Sequence, residues 1–287
     1  MPFHSNININ NNFFIENNLD KNYLICNCLD IREEKIKNYN GKKILFITES
    51  IKTHKHYYHI NNLVNNNYFD ILIGCIENNP ENNRYKLPFY LFCDIPFPIN
   101  NYIDKFNDIN NYVKTITMEN LIKKKFSCLI NSWDCDIQKT RTNIYNLLNK
   151  IDKITCPGKL FNNESNQYLN EIGKIKYINE FKFNICSENH DIDCPGYVTE
   201  KIMDCCLAGA IPIYCGWLDE IDLKIFNKDR ILYYKSNDEE SIVNIFNKVN
   251  NLYNNPDKLL EFYQQPIFKD TAYNTIEEFK KNVINLA

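Results

Sequence analysis

Short apolar runs rich in β-branched and aromatic residues alternate along the chain with segments of helical periodicity. The predicted strands are KKILFITES, YFDILIGC, KKKFSCLINS, EFKFNICSEN, AIPIYCG and RILYYK. The predicted helices are Thr140 to Lys150, Thr199 to Leu207, Glu239 to Tyr253 and Thr275 to Asn285. Apolar strands separated by amphipathic helices are typical of parallel βαβ units. The pattern therefore predicts an α/β protein.

The pattern weakens between Asn78 and Lys123, a segment that contains several prolines and has no strong period. We interpret this segment as the connection between two halves, because 287 residues are enough for two domains of ordinary size. The predicted N-terminal domain spans residues 1–120 and the C-terminal domain spans residues 121–287. The first twenty residues, 1–20, are polar and Asn-rich, a composition typical of disorder.

Composition and charge narrow the possible functions. The formal net charge of -3 lacks the basic excess that would neutralise many phosphates, which argues against a nucleic-acid partner. No apolar run approaches the roughly 20 residues that cross a bilayer, and the first segment lacks the features of a signal peptide. We therefore predict no transmembrane segment and a cytoplasmic protein, in which the 12 cysteines would stay reduced and mostly buried. The 7 glycines form neither G-x-G-x-x-G nor a P-loop.

Metal binding receives little support. Neither Cys26 with Cys28 nor Cys205 with Cys206 has the C-x2-C spacing of a zinc site. Three other sets have low specificity for a metal: His54, His56 and His59; the D-x-D pair Asp134 and Asp136; and the pair Asp191 and Asp193. The D-x-D pair is the minority alternative, since two carboxylates on a loop can hold a divalent cation together with substrate phosphates.

The segment PGYVTEKIMDCCLAGAIPIYCGW, residues 195–217, combines a turn, a short helix and a buried strand. Gly196 allows a tight turn, Thr199 can cap the helix, and Gly209 can end it in a left-handed conformation. The first amides of the helix and Lys201 favour an anion, while Glu200 is a suitable acceptor for ribose hydroxyls. The segment indicates a nucleotide site; a capped helix with a solvated Glu-Lys start is the alternative.

Residues 197–202 and 208–214 closely resemble the signature of the α-1,3-fucosyltransferases. The predicted strands, together with NNRYKLPFYL and QKTRTNIYNLLN, resemble further segments of that family in the same order, from about Gly41 to the C-terminus. The resemblance implies a GT-B-like architecture, in which two Rossmann-like domains face each other across a cleft. It also implies an inverting transfer of L-fucose from GDP-fucose to a hydroxyl of a glycan acceptor, as in the soluble, bacterial-like members.

The resemblance also implies residue roles. Glu49, at the end of KKILFITES, matches the general base of the family. The matches to donor-binding residues are Arg141 and Lys201 for the phosphates, Glu200 for the ribose, and Asn189 and Tyr197 for the remaining polar contacts. These roles suit an inverting transfer, which needs a carboxylate to accept the acceptor's proton and positive charge to stabilise the departing diphosphate. Since Arg141 and Lys201 would supply that charge, we expect no metal cofactor.

The sequence departs from the family pattern where specificity is decided. Only about forty residues precede KKILFITES, where the family usually has a further strand and helix, so we expect an abbreviated N-terminal domain. Cys215 stands where the family often has an aromatic residue, and Trp217 could fill that space. Two alternatives stay open: the same fold with a different nucleotide-sugar donor, or a catalytically silent protein that binds nucleotide sugars or glycans.

Overall fold

The structure is a computed structural model that describes residues 23–28, 33–51, 58–91, 102–134, 139–190 and 194–284. The chain forms two compact units, one of residues 1–87 with 276–287 and one of residues 88–275. Each unit contains a parallel β-sheet, as the strand pattern predicted. The boundary lies before Pro88, whereas the sequence placed it after residue 120.

The first unit has four described strands, all parallel and in the order β1-β2-β3-β4. They are β1 (Tyr23–Asn27), β2 (Lys42–Ile47), β3 (Ile71–Gly74) and β4 (Arg84–Lys86). Its helices in the described ranges are α1 (Glu33–Asn38) and α2 (Tyr58–Asn65), with a 3₁₀ turn at Pro80–Asn82. Leu45, Ile47 and Leu72 of the strands pack with Ile36 and Ile60 of the helices in one apolar core.

Two elements of the first unit, β1 and α1, precede the first strand that the sequence predicted. They lie in the chain before KKILFITES, where the family usually has a further strand and helix and where we expected the N-terminal domain to be abbreviated. β1 reads YLICN, a short apolar run next to an Asn-rich segment, and the core takes Leu24, Cys26 and Cys28 from β1 and the residue after it. With four described strands against five, this unit still has the smaller sheet.

The second unit has five described strands, all parallel, in the order β6-β5-β7-β8-β9. They are β5 (Lys125–Leu129), β6 (Ile154–Thr155), β7 (Phe181–Ile185), β8 (Ile211–Tyr214) and β9 (Leu232–Tyr233). Every residue of β7 and of β8 is buried, as expected for central strands of a parallel sheet. β8 is a continuous apolar run, whereas β7 also buries Lys182 and Asn184.

The helices of the second unit connect and cover these strands. They are α3 (Tyr102–Thr115), α4 (Met118–Lys123), α5 (Thr140–Leu148), α6 (Gln167–Ile172), α7 (Lys174–Asn179), α8 (Glu200–Leu207), α9 (Glu239–Tyr253) and α10 (Pro256–Tyr263). Helix α11 (Ala272–Ile284) begins in the second unit, and from Ile276 it belongs to the first. 3₁₀ turns of the second unit lie at Phe89–Leu91, Asp222–Lys224 and Lys228–Arg230.

The prediction that residues 78–123 form an irregular connection was wrong, because this segment contains β4, α3 and α4. Helix α3 belongs to the second unit, where the Phe106 ring stacks on that of Phe268 with a centroid distance of 4.1 Å. Asn110 accepts hydrogen bonds from the amides of Ile267 and Phe268. Buried Phe106 and Val113 are seven residues apart, a helical spacing that many intervening polar residues obscure.

The strand order places a topological switch point between β5 and β7. From β5 the chain continues to β6 on one side, and from β7 it continues to β8 on the other. In open α/β sheets, ligands bind at the carboxyl ends of the strands where the order reverses in this way. The residues that follow β5, β7 and β8 are therefore the place to look for a site.

Within the described ranges, no helix is both long enough and apolar enough to span a membrane. The cysteines within the described ranges are all buried, as their apolar sequence context predicted.

Candidate functional site

Arg141 lies at the switch point, in the first turn of α5. Its side chain is 1% exposed and crosses from the loop after β5 to the loop after β7. Nη1 donates to the carbonyl of Trp133 at 2.7 Å, and Nη2 donates to the carbonyl of Ser187 and to Oδ1 of Asn189, both at 2.9 Å. The structure thus brings together two of the predicted donor-binding residues, Arg141 and Asn189.

The guanidinium of Arg141 carries a positive charge among neutral acceptors. Its hydrogen-bond acceptors within the described ranges are two backbone carbonyls and one amide, and its buried Nε has no partner there. A buried charge whose side-chain partners among the described residues are all neutral is costly, so an anion that approached this group would be strongly favoured. The arrangement is suited to a phosphate.

Asp134 has a structural role at the start of α5. One carboxylate oxygen accepts from the amide of Arg141 at 3.0 Å, and the other accepts from the amide and the hydroxyl of Thr142. This carboxylate therefore satisfies the amides that the first turn of a helix leaves unpaired.

The other metal alternatives fall largely outside the described residues. Asp136, the second member of the D-x-D pair, is outside them, as are Asp191, Asp193, His54 and His56. Within the described ranges, no group of three or more His, Cys, Asp or Glu side chains is placed to hold a metal ion.

The signature segment forms the turn, helix and strand that the sequence predicted. Gly196 and Gly209 have φ angles of 80° and 72°, so both adopt the left-handed conformation. Thr199 is the N-cap of α8, but its side chain makes no capping bond to the helix. Instead, its amide and its hydroxyl donate to the two oxygens of Glu188, at 2.8 and 2.5 Å.

Glu188 is a residue that the sequence analysis did not single out. It follows β7, is fully buried, and also accepts a hydrogen bond from the hydroxyl of Tyr214 at 3.1 Å. Burial of Tyr214, together with the nearby negative charge of Glu188, raises the pKa of the Tyr214 hydroxyl well above its usual value. The signal available in the sequence was an acidic residue three positions after a predicted buried strand, since buried carboxylates are rare without partners.

Lys201 and Glu200 take part in a row of alternating charges. Nζ of Lys201 lies 3.4 Å from Oε2 of Glu188 and 3.5 Å from Oε1 of Glu200. On the other side of Glu200, Lys174 lies 3.9 Å from its carboxylate and 2.7 Å from Asp204. The predicted phosphate-binding lysine is therefore held by a buried carboxylate in this structure.

The charges of this row set the protonation of its acidic members. Burial would raise the pKa of Glu200, but the ammonium groups of Lys201 and Lys174 outweigh burial and lower it to about 2. Burial raises the pKa of Asp204, and Lys174 only partly opposes this effect. Glu200 therefore stays ionised at neutral pH, which makes its carboxylate a strong acceptor for hydroxyl groups.

Tyr197 is 1% exposed, and its ring contacts that of His190 edge to face with a centroid distance of 5.9 Å. It lies in the same segment as Glu200 and Lys201, and its role as a donor contact stays a prediction.

Glu49, the predicted general base, belongs to the first unit. It follows β2 by two residues and is partly exposed. Next to it, the amide of Thr48 donates to Sγ of Cys28 at 3.3 Å, which ties the end of β2 to the residue after β1. Its position at the carboxyl end of a buried parallel strand agrees with the location predicted from FITES.

Comparisons with known proteins agree on one fold. Two crystal structures of α1,3-fucosyltransferase superpose on this chain: one of the enzyme with a TM-score of 0.61, and one of the enzyme with GDP-fucose with a TM-score of 0.59. Each alignment covers 93% of this chain and 79% of the other at 18% identity, a similarity that shows the fold alone. The two parallel-sheet units and these neighbours define a GT-B-like α/β protein, and the predicted fold class is confirmed.

Sequence relatives identify the family. The chain is 30% identical over 147 residues to the putative fucosyltransferase R654 of Acanthamoeba polyphaga mimivirus, and 38% identical over 76 residues to the α-(1,3)-fucosyltransferase FucT of Helicobacter pylori. These matches cover 47% and 26% of this chain but only 23% and 15% of the two relatives. The sequence model described as "Glycosyltransferase family 10 (fucosyltransferase) C-term" matches residues 121–280. The chain belongs to glycosyltransferase family 10, so the predicted family and the predicted enzyme class are confirmed.

Proposed function

We propose that this protein transfers L-fucose from GDP-fucose to a hydroxyl group of a glycan acceptor, with inversion at the anomeric carbon. Membership of the fucosyltransferase family supports the type of reaction. The neighbours whose descriptions include GDP and GDP-fucose support the donor. Inversion and the nature of the acceptor rest on the predicted residue roles.

The observation that carries this proposal is the buried guanidinium of Arg141 at the switch point of the second unit. It is fixed by three neutral acceptors, and its Nε has no partner among the described residues. We assign this group to the diphosphate of the donor, with Asn189 beside it. Lys201 supplies the second positive charge, Glu200 accepts from the ribose hydroxyls, and Tyr197 lines the same segment.

In this mechanism, Glu49 takes the proton of the acceptor hydroxyl while the oxygen attacks the anomeric carbon. The bond from that carbon to the diphosphate breaks, and GDP departs with the electron pair. Arg141 and Lys201 stabilise the negative charge that develops on the leaving group, which is the main requirement of such a step. On this proposal the two cations make a metal cofactor unnecessary; the predicted cytoplasmic location stays a prediction.

Calorimetric titration of the purified protein with GDP, GDP-fucose, UDP and UDP-sugars, each with and without EDTA, tests the donor. We expect binding of GDP and GDP-fucose that EDTA does not change. Selective binding of UDP would overturn the donor assignment. Loss of binding on chelation would instead support a metal site that includes Asp134 and Asp136.

Hydrolysis of GDP-fucose in the absence of acceptor separates an enzyme from a silent binding protein. The wild-type protein should release fucose slowly, and Glu49→Gln should abolish this release while GDP still binds. A protein that binds GDP-fucose but never hydrolyses or transfers it would contradict the proposed activity.

A further inference from the structure

Glu188 is locked in place by its own backbone as well as by its side chain. Its amide donates to the carbonyl of Cys215 at 2.8 Å, which joins the loops after β7 and β8. The fully buried carboxylate accepts from the amide and hydroxyl of Thr199 and from the hydroxyl of Tyr214. The charge is thus stabilised by donors on two elements, the start of α8 and the end of β8.

Gly216 makes this cluster possible. A Cβ atom at position 216 would lie 2.7 Å from Cγ of Glu188 and would also clash with the hydroxyl of Tyr214. Any larger residue would separate the tyrosine from the carboxylate. The glycine that follows β8 in the sequence is therefore required by a contact between side chains.

The cluster fixes the ammonium group of Lys201. Nζ donates to Oγ1 of Thr199 at 2.9 Å, and the hydroxyl of Thr199 in turn donates to Oε2 of Glu188. Nζ itself lies 3.4 Å from that same oxygen. Since the Lys201 side chain is only 13% exposed, its long chain keeps little freedom and its charge is held at one place.

We propose that Glu188 is a positioning residue that holds Lys201 and the first turn of α8 ready for the diphosphate of the nucleotide. Both oxygens of the Glu188 carboxylate already accept hydrogen bonds from Thr199 and Tyr214, so in this proposal Glu188 acts through Lys201 and Thr199. This inference rests on the proposed function, because it assumes that Lys201 binds the diphosphate. It adds three groups to the predicted site: the carboxylate of Glu188, the hydroxyl of Thr199 that links it to Lys201, and Gly216.

A double-mutant cycle on GDP affinity tests the inference, with Glu188→Gln, Lys201→Ala and the double variant. Gln keeps the shape of Glu but removes the charge that holds Lys201. We expect Glu188→Gln alone to weaken GDP binding by about tenfold, and by less than about twofold when Lys201 is already Ala. A purely structural role would weaken binding equally in both backgrounds, and that result would overturn the inference.

Thr199→Val provides a second variant that is less disruptive, because the hydroxyl makes no capping bond to α8. It removes the hydroxyl that bridges Lys201 and Glu188 but keeps their direct ion pair, and we expect a loss of GDP affinity of a few fold that again disappears in the Lys201→Ala background. Equal losses in both backgrounds would contradict the inference even if Glu188→Gln did not fold.

Glu164→Gln is the matched control. Glu164 also accepts from the hydroxyl of a buried tyrosine, Tyr177, and lies 3.9 Å from a lysine, Lys125. Lys125 begins β5, so this group is at the amino end of the sheet, opposite the proposed site. The control should leave GDP affinity unchanged. If the wild-type protein does not bind GDP at all, the proposed function fails; if it binds GDP and the cycle shows additive effects, only the role of Glu188 fails.

Discussion

At the scale of single residues, Arg141 and Arg230 offer a comparison between two fully buried arginines. Arg230 lies over the ring of Tyr263 at 4.8 Å and donates to carbonyls of the fold, whereas Arg141 is placed at the switch point. A lysine keeps the charge but lacks the planar fork. Arg141→Lys should weaken GDP binding by about 1–3 kcal/mol, because it loses a charge-assisted contact.

The control for that change is Arg230→Lys, which should lower the melting temperature while GDP affinity stays the same within error. Calorimetric titration and thermal unfolding of both variants provide the comparison. Unchanged GDP affinity in a folded Arg141→Lys protein would remove Arg141 from the phosphate site.

Glu49 is a residue whose predicted role separates catalysis from binding. Glu49→Gln keeps the size of the side chain but removes its ability to accept a proton. Because general base catalysis commonly contributes 10² to 10⁴ in rate, we expect transfer to fall by at least about 10²-fold. The dissociation constant of GDP should stay within about twofold of the wild-type value.

Steady-state transfer assays and GDP titrations of the same preparation measure both quantities. A variant that loses GDP affinity and activity in parallel would show that Glu49 has a structural role instead.

At the scale of secondary-structure elements, the start of α8 and the helix α7 before β7 are joined through charge. Glu200 has its pKa lowered to about 2 from an ordinary value of 4.5, so it stays ionised in the folded protein at pH values where it is protonated in the unfolded chain. The stability that it contributes is therefore fully present above pH 4.5. It is lost as the pH falls from 4.5 towards about 2.

Urea unfolding of the wild type and of Glu200→Gln at a series of pH values tests this dependence. The wild type should be more stable at pH 7, and the difference should shrink steadily below pH 4.5. A difference that does not change with pH would mean that the interactions with Lys174 and Lys201 do not favour the charged form.

The elements that the sequence predicted correctly include both fully buried strands and a largely exposed helix with a narrow apolar stripe. β7 and β8 are buried at every position, and α9 was predicted with the same ends, Glu239 and Tyr253, that the structure gives. The elements that it missed give weaker local signals. β4 and β6 are only three and two residues long, β1 is apolar but lies beside the Asn-rich start of the chain, and the contacts of α3 depend on residues far along the chain such as Phe268.

The candidate site was predictable only where a short motif describes it. The signature gave Glu200, Lys201 and Tyr197, and the order of segments gave Arg141 and Asn189. Glu188 could not be found in this way, because its role depends on contacts with Thr199 and Tyr214, which are 11 and 26 residues away. Such contacts exist only once β7 and β8 lie side by side.

At the scale of the whole molecule, the chain contains only two tryptophans, and each follows a strand at the carboxyl edge of the second sheet, where we propose the nucleotide site. Trp133 follows β5 and is 65% exposed; Trp217 follows β8 and is 37% exposed. Only β7 lies between β5 and β8 in the sheet, so the carboxyl ends of β5 and β8 are about 10 Å apart. A nucleotide held by Arg141, next to the carbonyl of Trp133, should therefore reduce the access of solvent to at least one indole.

Intrinsic fluorescence with iodide as an external quencher measures this access. We expect saturating GDP to lower the quenching constant of the wild type, and Trp133→Phe to remove most of the change because Arg141 contacts the backbone of residue 133. Trp217→Phe serves as the matched variant and should retain the change. If calorimetry shows that GDP binds while neither tryptophan becomes less accessible, the nucleotide binds elsewhere, and the carboxyl edge of the second sheet is not the site.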